Sequence, residues 1–223
     1  MADTVYPAEA APDAEAEERG RLLFAAPCEF VAGATTPDII PPDTLPEVAF
    51  VGRSNVGKSS LVNALTGHNA LARVSRTPGR TRQINFFDLG QRLMLVDLPG
   101  YGYAEAPKTE IQRWTGLIEK YLRGRASLRR VLLLLDSRFG IKPPDEPFMT
   151  LLDKAAVSFQ IVLTKADTVK PAEMAKLLPK LIESLAKHPA AHPVVHMTSS
   201  RDSFGIAALR GAVDALAEPR PPR

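Results

Sequence analysis

At 223 residues, 45% apolar and 24% charged, the chain sits in the ordinary globular range, long enough for one domain with a sizeable core. Its formal net charge of +3 is mildly basic, which tilts toward an acidic partner such as RNA and says nothing about fold. A single cysteine, Cys28, excludes an intramolecular disulfide and fits a reducing, cytoplasmic compartment, and no run approaches the ~20 apolar residues of a membrane span.

Residues 1–20 (MADTVYPAEAAPDAEAEERG) are rich in Ala, Glu, Asp and Pro. Such a stretch buries too little apolar surface to offset its ordering entropy, so a disordered acidic tail is expected. It lacks the basic start and apolar centre of a secretory signal. Residues 21–46 read as an extended segment, in which CEFVAGA (28–34) suits a short edge strand and the prolines of TTPDIIPPDTLPE mark a non-helical connection. A domain of alternating strands and helices is expected over 47–217, with 218–223 as a C-terminal tail.

VAFVG (48–52) is apolar on both faces, as a strand covered by helices on each side must be. It runs into GRSNVGKS (52–59) and an amphipathic segment, so G-x-x-x-x-G-K-S stands between a strand and a helix as a phosphate-binding loop requires. Glycines let such a loop wrap closely, with the N–H groups from Asn55 to Ser60 aimed at phosphate oxygens and the helix N-terminus adding partial positive charge. Gly52, Arg53, Ser54, Asn55, Val56, Gly57, Lys58, Ser59 and Ser60 are the candidate contacts. Lys58 would reach the β and γ phosphates and the Ser59 hydroxyl would ligate Mg²⁺.

RVSRTPGRTRQ (73–83) follows, polar and glycine-bearing, and is expected to be mobile without nucleotide. Thr81 is the candidate second Mg²⁺ ligand; Thr77 competes and loses because Thr81 lies nearer the next strand. INFFDLGQRLMLVD (84–97) reads as a hairpin turning at Gly90. At its end Asp97-Leu98-Pro99-Gly100 would hold Mg²⁺ through water at Asp97 and sense the γ phosphate with the Gly100 N–H. Tyr101 comes next. A phenol lacks the paired amide donor and acceptor with which a glutamine orients attacking water in Ras-like enzymes, so slow intrinsic hydrolysis is expected. The candidate catalytic groups are Lys58 and Asn55; the Asn55 amide would either ligate K⁺ beside the phosphates or brace the loop by hydrogen bonds.

Ile111, Trp114, Leu117, Ile118, Tyr121 and Leu122 share one helical face. RASLRR (125–130) is an arginine cluster, a solvated face or a phosphate contact. VLLLLD (131–136) and IVLT (161–164) are further buried strands, and the second delivers Thr164, Lys165, Ala166 and Asp167 on the P-loop side of the sheet. The Asp167 carboxylate can accept two parallel hydrogen bonds from guanine N1–H and the 2-amino group, whereas adenine presents a lone pair there. Lys165 would lay its stem along the base. Met174, Leu177, Leu178, Leu181, Ile182 and Leu185 form a second helical stripe, and Ile206, Leu209, Val213 and Leu216 a third. Between them VVHMTS (194–199) is a strand whose end, Thr198, Ser199 and Ser200, would offer N–H groups to guanine O6. The pattern predicts an α/β, three-layer P-loop NTPase (Ras-like GTPase) fold, its mixed, mainly parallel sheet covered by helices on both faces, with ligands at the strand C-termini.

GRSNVGKSSLVNAL, RTPGRTRQINFF, LVDLPGYGYA, DSRFGIKPPDEPF and IVLTKAD, in this order, resemble the EngB (YihA/YsxC) family of bacterial ribosome-biogenesis GTPases over roughly Phe30 to Ala217. The resemblance implies a TRAFAC-class GTPase binding GTP and GDP, acting in maturation of the large ribosomal subunit and needed for growth and division, without membrane or DNA partners. By motif match it gives nucleotide roles to the P-loop, to Gly79, Arg80, Thr81, Arg82 and Gln83, and to the segments ending at Gly100, Asp167 and Ser200. It assigns Mg²⁺ to Ser59 and Thr81. A residue like Tyr101 together with a P-loop asparagine recurs among relatives that use K⁺. The resemblance also favours an RNA role for the arginine-bearing loop around Arg80. Two rivals remain open at this point: a small-molecule kinase or ATPase, opposed by Asp167, and a GTP-binding RNA or ribosome module with negligible hydrolysis.

Overall fold

The computed structural model describes residues 13–67, 83–101 and 108–219, the last stretch with side chains from 115 onward. Seven strands form one sheet: β1 (Cys28–Ala34), β2 (Glu47–Gly52), β3 (Ile84–Leu89), β4 (Leu93–Asp97), β5 (Leu128–Asp136), β6 (Phe159–Thr164) and β7 (His196–Met197), in the spatial order β1-β3-β4-β2-β5-β6-β7. Strands β4, β2, β5, β6 and β7 run parallel, and β3 pairs antiparallel with both β4 and β1. The reversal lies in the expected hairpin, where Gly90 and Gln91 take φ of 61° and 55°. A Cβ at Gly90 would stand 2.7 Å from that of Ala26, so the turn admits no larger residue without movement. CEFVAGA is the edge strand β1, as anticipated.

Alternation along β2 separates two cores. Ala49 and Val51 face α3 (Lys108–Leu122), α4 (Asp145–Lys154) and α5 (Pro171–Leu185), which contribute Leu117, Tyr121, Met149, Leu152 and Leu181. Val48 and Phe50 face α1 (Ala14–Phe24), α2 (Lys58–Thr66) and α6 (Ile206–Asp214), which contribute Leu23, Leu61, Leu65 and Leu209. Every residue of β2 and β6 is buried, which is why those strands read as unbroken apolar runs. Leu117, Ile118, Tyr121, Leu122, Leu178, Leu181, Leu185, Ile206, Leu209 and Val213 of the three helical stripes are core, and Met174, Leu177 and Leu216 pack against it. Among the described residues no helix is long and apolar enough to cross a membrane.

Three expectations need correction. Residues 14–20, expected to be disordered, are the first turns of α1, started by Asp13, whose carboxylate accepts from the N–H groups of Glu15 and Ala16 at 3.1 Å each. Helix α1 then docks on α6, burying Leu23 and Phe24, so 21–46 is not wholly extended: it begins in helix and holds a 3₁₀ turn at Pro37–Ile39. VVHMTS contracts to a two-residue strand, and α4 appears where the prolines of PPDEP hid a helical start. Proline is tolerated in a first helical turn because its missing N–H would have no intrahelical acceptor there.

The α1–α6 contact is close at the backbone. A Cβ on Gly20 would lie 2.4 Å from the carbonyl carbon of Arg210 and from the nitrogen of Gly211. Gly20→Ala gains about 1 kcal/mol of helix propensity but must push the helices apart, and overpacking of this kind costs about 1–3 kcal/mol. The expected result is a lower melting temperature with unchanged nucleotide affinity; calorimetry beside a nucleotide titration checks it.

Candidate nucleotide site

The C-terminal ends of β2, β4, β5 and β6 meet at one rim. Strand β2 ends at Gly52, whose Cβ, if present, would stand 2.8 Å from the Leu134 carbonyl of β5. The loop then passes through two left-handed residues, Asn55 (φ 61°) and Gly57 (φ 102°), before α2 starts at Lys58. Asparagine tolerates that region better than most side-chain-bearing residues, and glycine adopts it freely.

Two side chains of the 164–167 segment hold the loop from outside. The Thr164 hydroxyl, buried, donates to the Val56 carbonyl at 2.6 Å, and the Lys165 ammonium donates to the Asn55 carbonyl at 2.9 Å. With those carbonyls turned toward β6, the N–H groups of Gly57, Lys58, Ser59 and Ser60 engage no acceptor among the described residues. They form the uncommitted donor row that an anion requires. Val56 does not join it: its N–H donates to the Arg53 carbonyl at 3.2 Å and its side chain is in the core. The Ser59 hydroxyl is exposed and engages no described group, so it is available to a hard cation.

Lys58 forms an ion pair with Asp97 at the end of β4, both side chains largely buried. Burial pulls the Lys58 ammonium down to about 8. Beyond Asp97 the chain continues alongside the P-loop, with the Leu98 N–H donating to Phe50 at 3.0 Å and the Tyr101 N–H to Gly52 at 3.3 Å. Gly100 lies between them, where a Cβ would approach the Gly52 carbonyl at 3.0 Å and the Ser54 nitrogen at 3.5 Å. Leu98, named as a candidate contact, has its side chain fully buried in the core. It supports the segment from within and does not present a side chain to a ligand.

At the base end, Lys165 adopts φ 58° and its ammonium bridges from the Asn55 carbonyl to the Asp136 carboxylate, 2.9 Å from each. Burial disfavours the Asp136 anion, but hydrogen bonds from Arg138 and Lys165 outweigh that and hold the carboxyl far below the usual range. Asp136 and Arg138 were not among the sequence candidates. The available signal was the aspartate ending VLLLLD, which the sheet register sets directly beside Thr164. Asp167 is exposed in a 3₁₀ turn (Ala166–Thr168), and its carboxylate engages no described residue. A carboxylate so uncommitted keeps both acceptors for a ligand.

The expected row of donors after β7 shortens. The Thr198 N–H donates to Leu163 at 2.7 Å and the Ser199 N–H to Phe204 at 3.0 Å. Of the three residues only Ser200 keeps its N–H without a described acceptor. Gln83 packs against Gly33 of β1 and donates to Asn85 at 2.8 Å, which places its side chain over the sheet edge. Gly79, Arg80, Thr81 and Arg82, with the competing Thr77, lie outside the described residues.

Residues 47–165 match the family described as "50S ribosome-binding GTPase". A probable GTP-binding protein EngB of Cereibacter sphaeroides is 55% identical over 216 residues, 97% of this chain and 100% of that protein. One of Rhodospirillum rubrum is 57% identical over 211 residues, covering 92% of this chain and 91% of the other. Among solved structures, a probable GTP-binding protein engB superposes with a TM-score of 0.60 at 24% identity, over 76% of this chain and 97% of that one. Era, crystallised with MgGDPNP and nucleotides of 16S ribosomal RNA, superposes with a TM-score of 0.58 at 22% identity, over 80% of this chain and 58% of its own. These two likenesses concern the fold.

Proposed function

The chain belongs to the EngB family of GTP-binding proteins and is a GTPase, and from that premise we propose that it is a slow, guanine-selective switch acting on the large ribosomal subunit or its precursor. The observation that carries the guanine assignment is the free Asp167 carboxylate, on a loop tied to the P-loop through Thr164 and Lys165. Any base read by Asp167 is thereby held in register with phosphates on the N-terminus of α2. Lys58 leaves Asp97 for the β and γ phosphates, and Ser200 offers its N–H to guanine O6.

The donor set fits Mg²⁺: a free Ser59 hydroxyl, the Asp97 carboxylate once released from Lys58, and Thr81 as the second hydroxyl. When bound, the ion would draw negative charge from the phosphate oxygens. Lys58 adds its charge to the same oxygens. Of the two roles open to Asn55, cation binding is favoured, because bracing is already done by its carbonyl while the exposed amide engages no described residue. K⁺ at that amide would lie where an arginine finger's charge stands in other GTPases.

The ribosomal partner is supported by the matched family's description and by charge. The RASLRR cluster contributes less than its composition suggests. Arg125 is spent on buried Glu47, with Nε at 3.0 Å, and Arg130 donates to Gln160 at 3.1 Å, which leaves Arg129 as the cluster's exposed arginine. The binding charge therefore falls mainly to Arg73, Arg76, Arg80 and Arg82, in a loop that GTP would order against ribosomal RNA. A cytoplasmic location and a need in growth and division follow from that role. Sedimentation with large-subunit particles should show several-fold more protein bound with a non-hydrolysable GTP analogue than with GDP. Phosphate release should rise when K⁺ replaces Na⁺. Equal binding in the two nucleotide states would refute the switch, and equal rates in the two salts would remove the cation role of Asn55.

A further inference from the structure

Tyr101 does more than occupy the position where a catalytic glutamine stands in other GTPases. It is buried, and its hydroxyl donates to Asp145 Oδ1 at 2.7 Å. Asp145 is the first residue of α4, wholly inaccessible, and its other oxygen accepts the Lys142 N–H at 2.7 Å. The phenol ring stacks on Phe148 of the same helix, with centroids 4.9 Å apart and planes 14° apart. On its main-chain side Tyr101 pairs with Arg53 and donates to Gly52, both in the P-loop. Gly100, the group assigned to the γ phosphate, is the residue immediately before this doubly held tyrosine.

We propose that Tyr101 is a positioning residue, its hydroxyl bond to Asp145 clamping Gly100 against the P-loop so that the γ-phosphate contact is set before GTP arrives. Core filling alone would not need the hydroxyl, since phenylalanine would make the same stack on Phe148. A buried carboxylate is an expensive partner to retain for packing. What the bond adds is direction: it ties the end of the 97–101 segment to the start of a helix, so Gly100 cannot drift from Ser54. Burial and the adjoining Asp145 carboxylate push the phenol far above its usual range, so the Tyr101 hydroxyl keeps the proton it donates. The α and β phosphates and the base are gripped by other segments, and the effect falls on the γ phosphate alone.

The proposal rests on Gly100 reading the γ phosphate, so Gly100→Ala is measured beside Tyr101→Phe and Asp145→Asn. Affinities for GDP and for a non-hydrolysable GTP analogue are compared, with a thermal melt for each variant. Removing one well-placed hydrogen bond corresponds to about a tenfold change in an equilibrium constant. Tyr101→Phe should weaken the GTP analogue by roughly that factor and leave GDP within about twofold. Asp145→Asn should do the same, because it sets an NH₂ donor in place of one of the two oxygens that accept from Tyr101 and from Lys142. The double variant should be no more selective than either single one. Equal losses for both nucleotides would mark Tyr101 as merely structural and overturn the proposal, as would an unchanged ratio. If Gly100→Ala is selective and Tyr101→Phe is not, the clamp fails and the γ-phosphate reading survives; if neither is selective, both fall.

Discussion

Lys58→Ala is expected to lose GTP and GDP affinity by about a hundredfold or more. Each charge-assisted hydrogen bond to a phosphate is worth about 1.5–3 kcal/mol, and on the proposed assignment Lys58, largely buried, would make two of them. The alanine variant also leaves Asp97 as an unpaired, largely buried carboxylate facing the polyphosphate, so repulsion adds to the lost attraction. Titration with a fluorescent nucleotide measures the loss; affinity within a few-fold of the unmodified protein would contradict the phosphate assignment. The same lysine predicts a pH dependence. Burial holds its ammonium at about 8, and phosphate binding would raise it by favouring the charged form. Affinity should therefore be full below pH 8 and fall above it by up to about tenfold per pH unit, the limit for one proton.

Asp167→Asn is the second. On the proposed assignment the carboxylate would accept from guanine N1–H and N2–H together, whereas an amide offers one acceptor and one donor. Its NH₂ group would then meet the guanine amine, donor against donor. Losing one bond and opposing another costs about 2–4 kcal/mol, or some 30- to 1000-fold in GTP affinity. Xanthine carries an oxygen where guanine carries the amine, which suits the amide introduced by the substitution, so xanthosine triphosphate should gain as GTP loses. A base preference unchanged by the substitution would place the reading of the base elsewhere. Thr164, Lys165 and the P-loop contacts are untouched, and the melting temperature should hold.

What could be read in the chain was local. The glycines and Lys58 of the P-loop, the turn at Gly90 and the carboxylate of Asp167 are each marked by spacing within a few residues; the structure has Lys58 opening α2, Gly90 in a left-handed turn and Asp167 in a 3₁₀ turn. What escaped depends on partners far apart in sequence. Tyr101 meets Asp145 across 44 positions, and Lys165 meets Asp136 across 29. The docking of α1 needed two glycines, Gly20 and Gly211, to meet on different helices, and composition alone made the first of those helices look like a solvated tail. The Thr198 and Ser199 N–H groups were counted as free because their acceptors, Leu163 and Phe204, are settled only once β6 and the turn after β7 are in place. Local pattern identifies which chemistry is present; tertiary contacts decide which atoms remain available for it.

On the proposed reading, one exposed carboxylate, Asp167, selects guanine while a loop tied to it holds the phosphates. Competition against fluorescent GDP, with GTP and ATP in parallel on the unmodified protein and Mg²⁺ present, tests this most directly. GTP should displace the probe at concentrations comparable to its own, and ATP should fail at a hundredfold excess or more. Displacement by ATP and GTP at similar concentrations would contradict the account, because a site that treats the two bases alike cannot be reading the purine edge through Asp167.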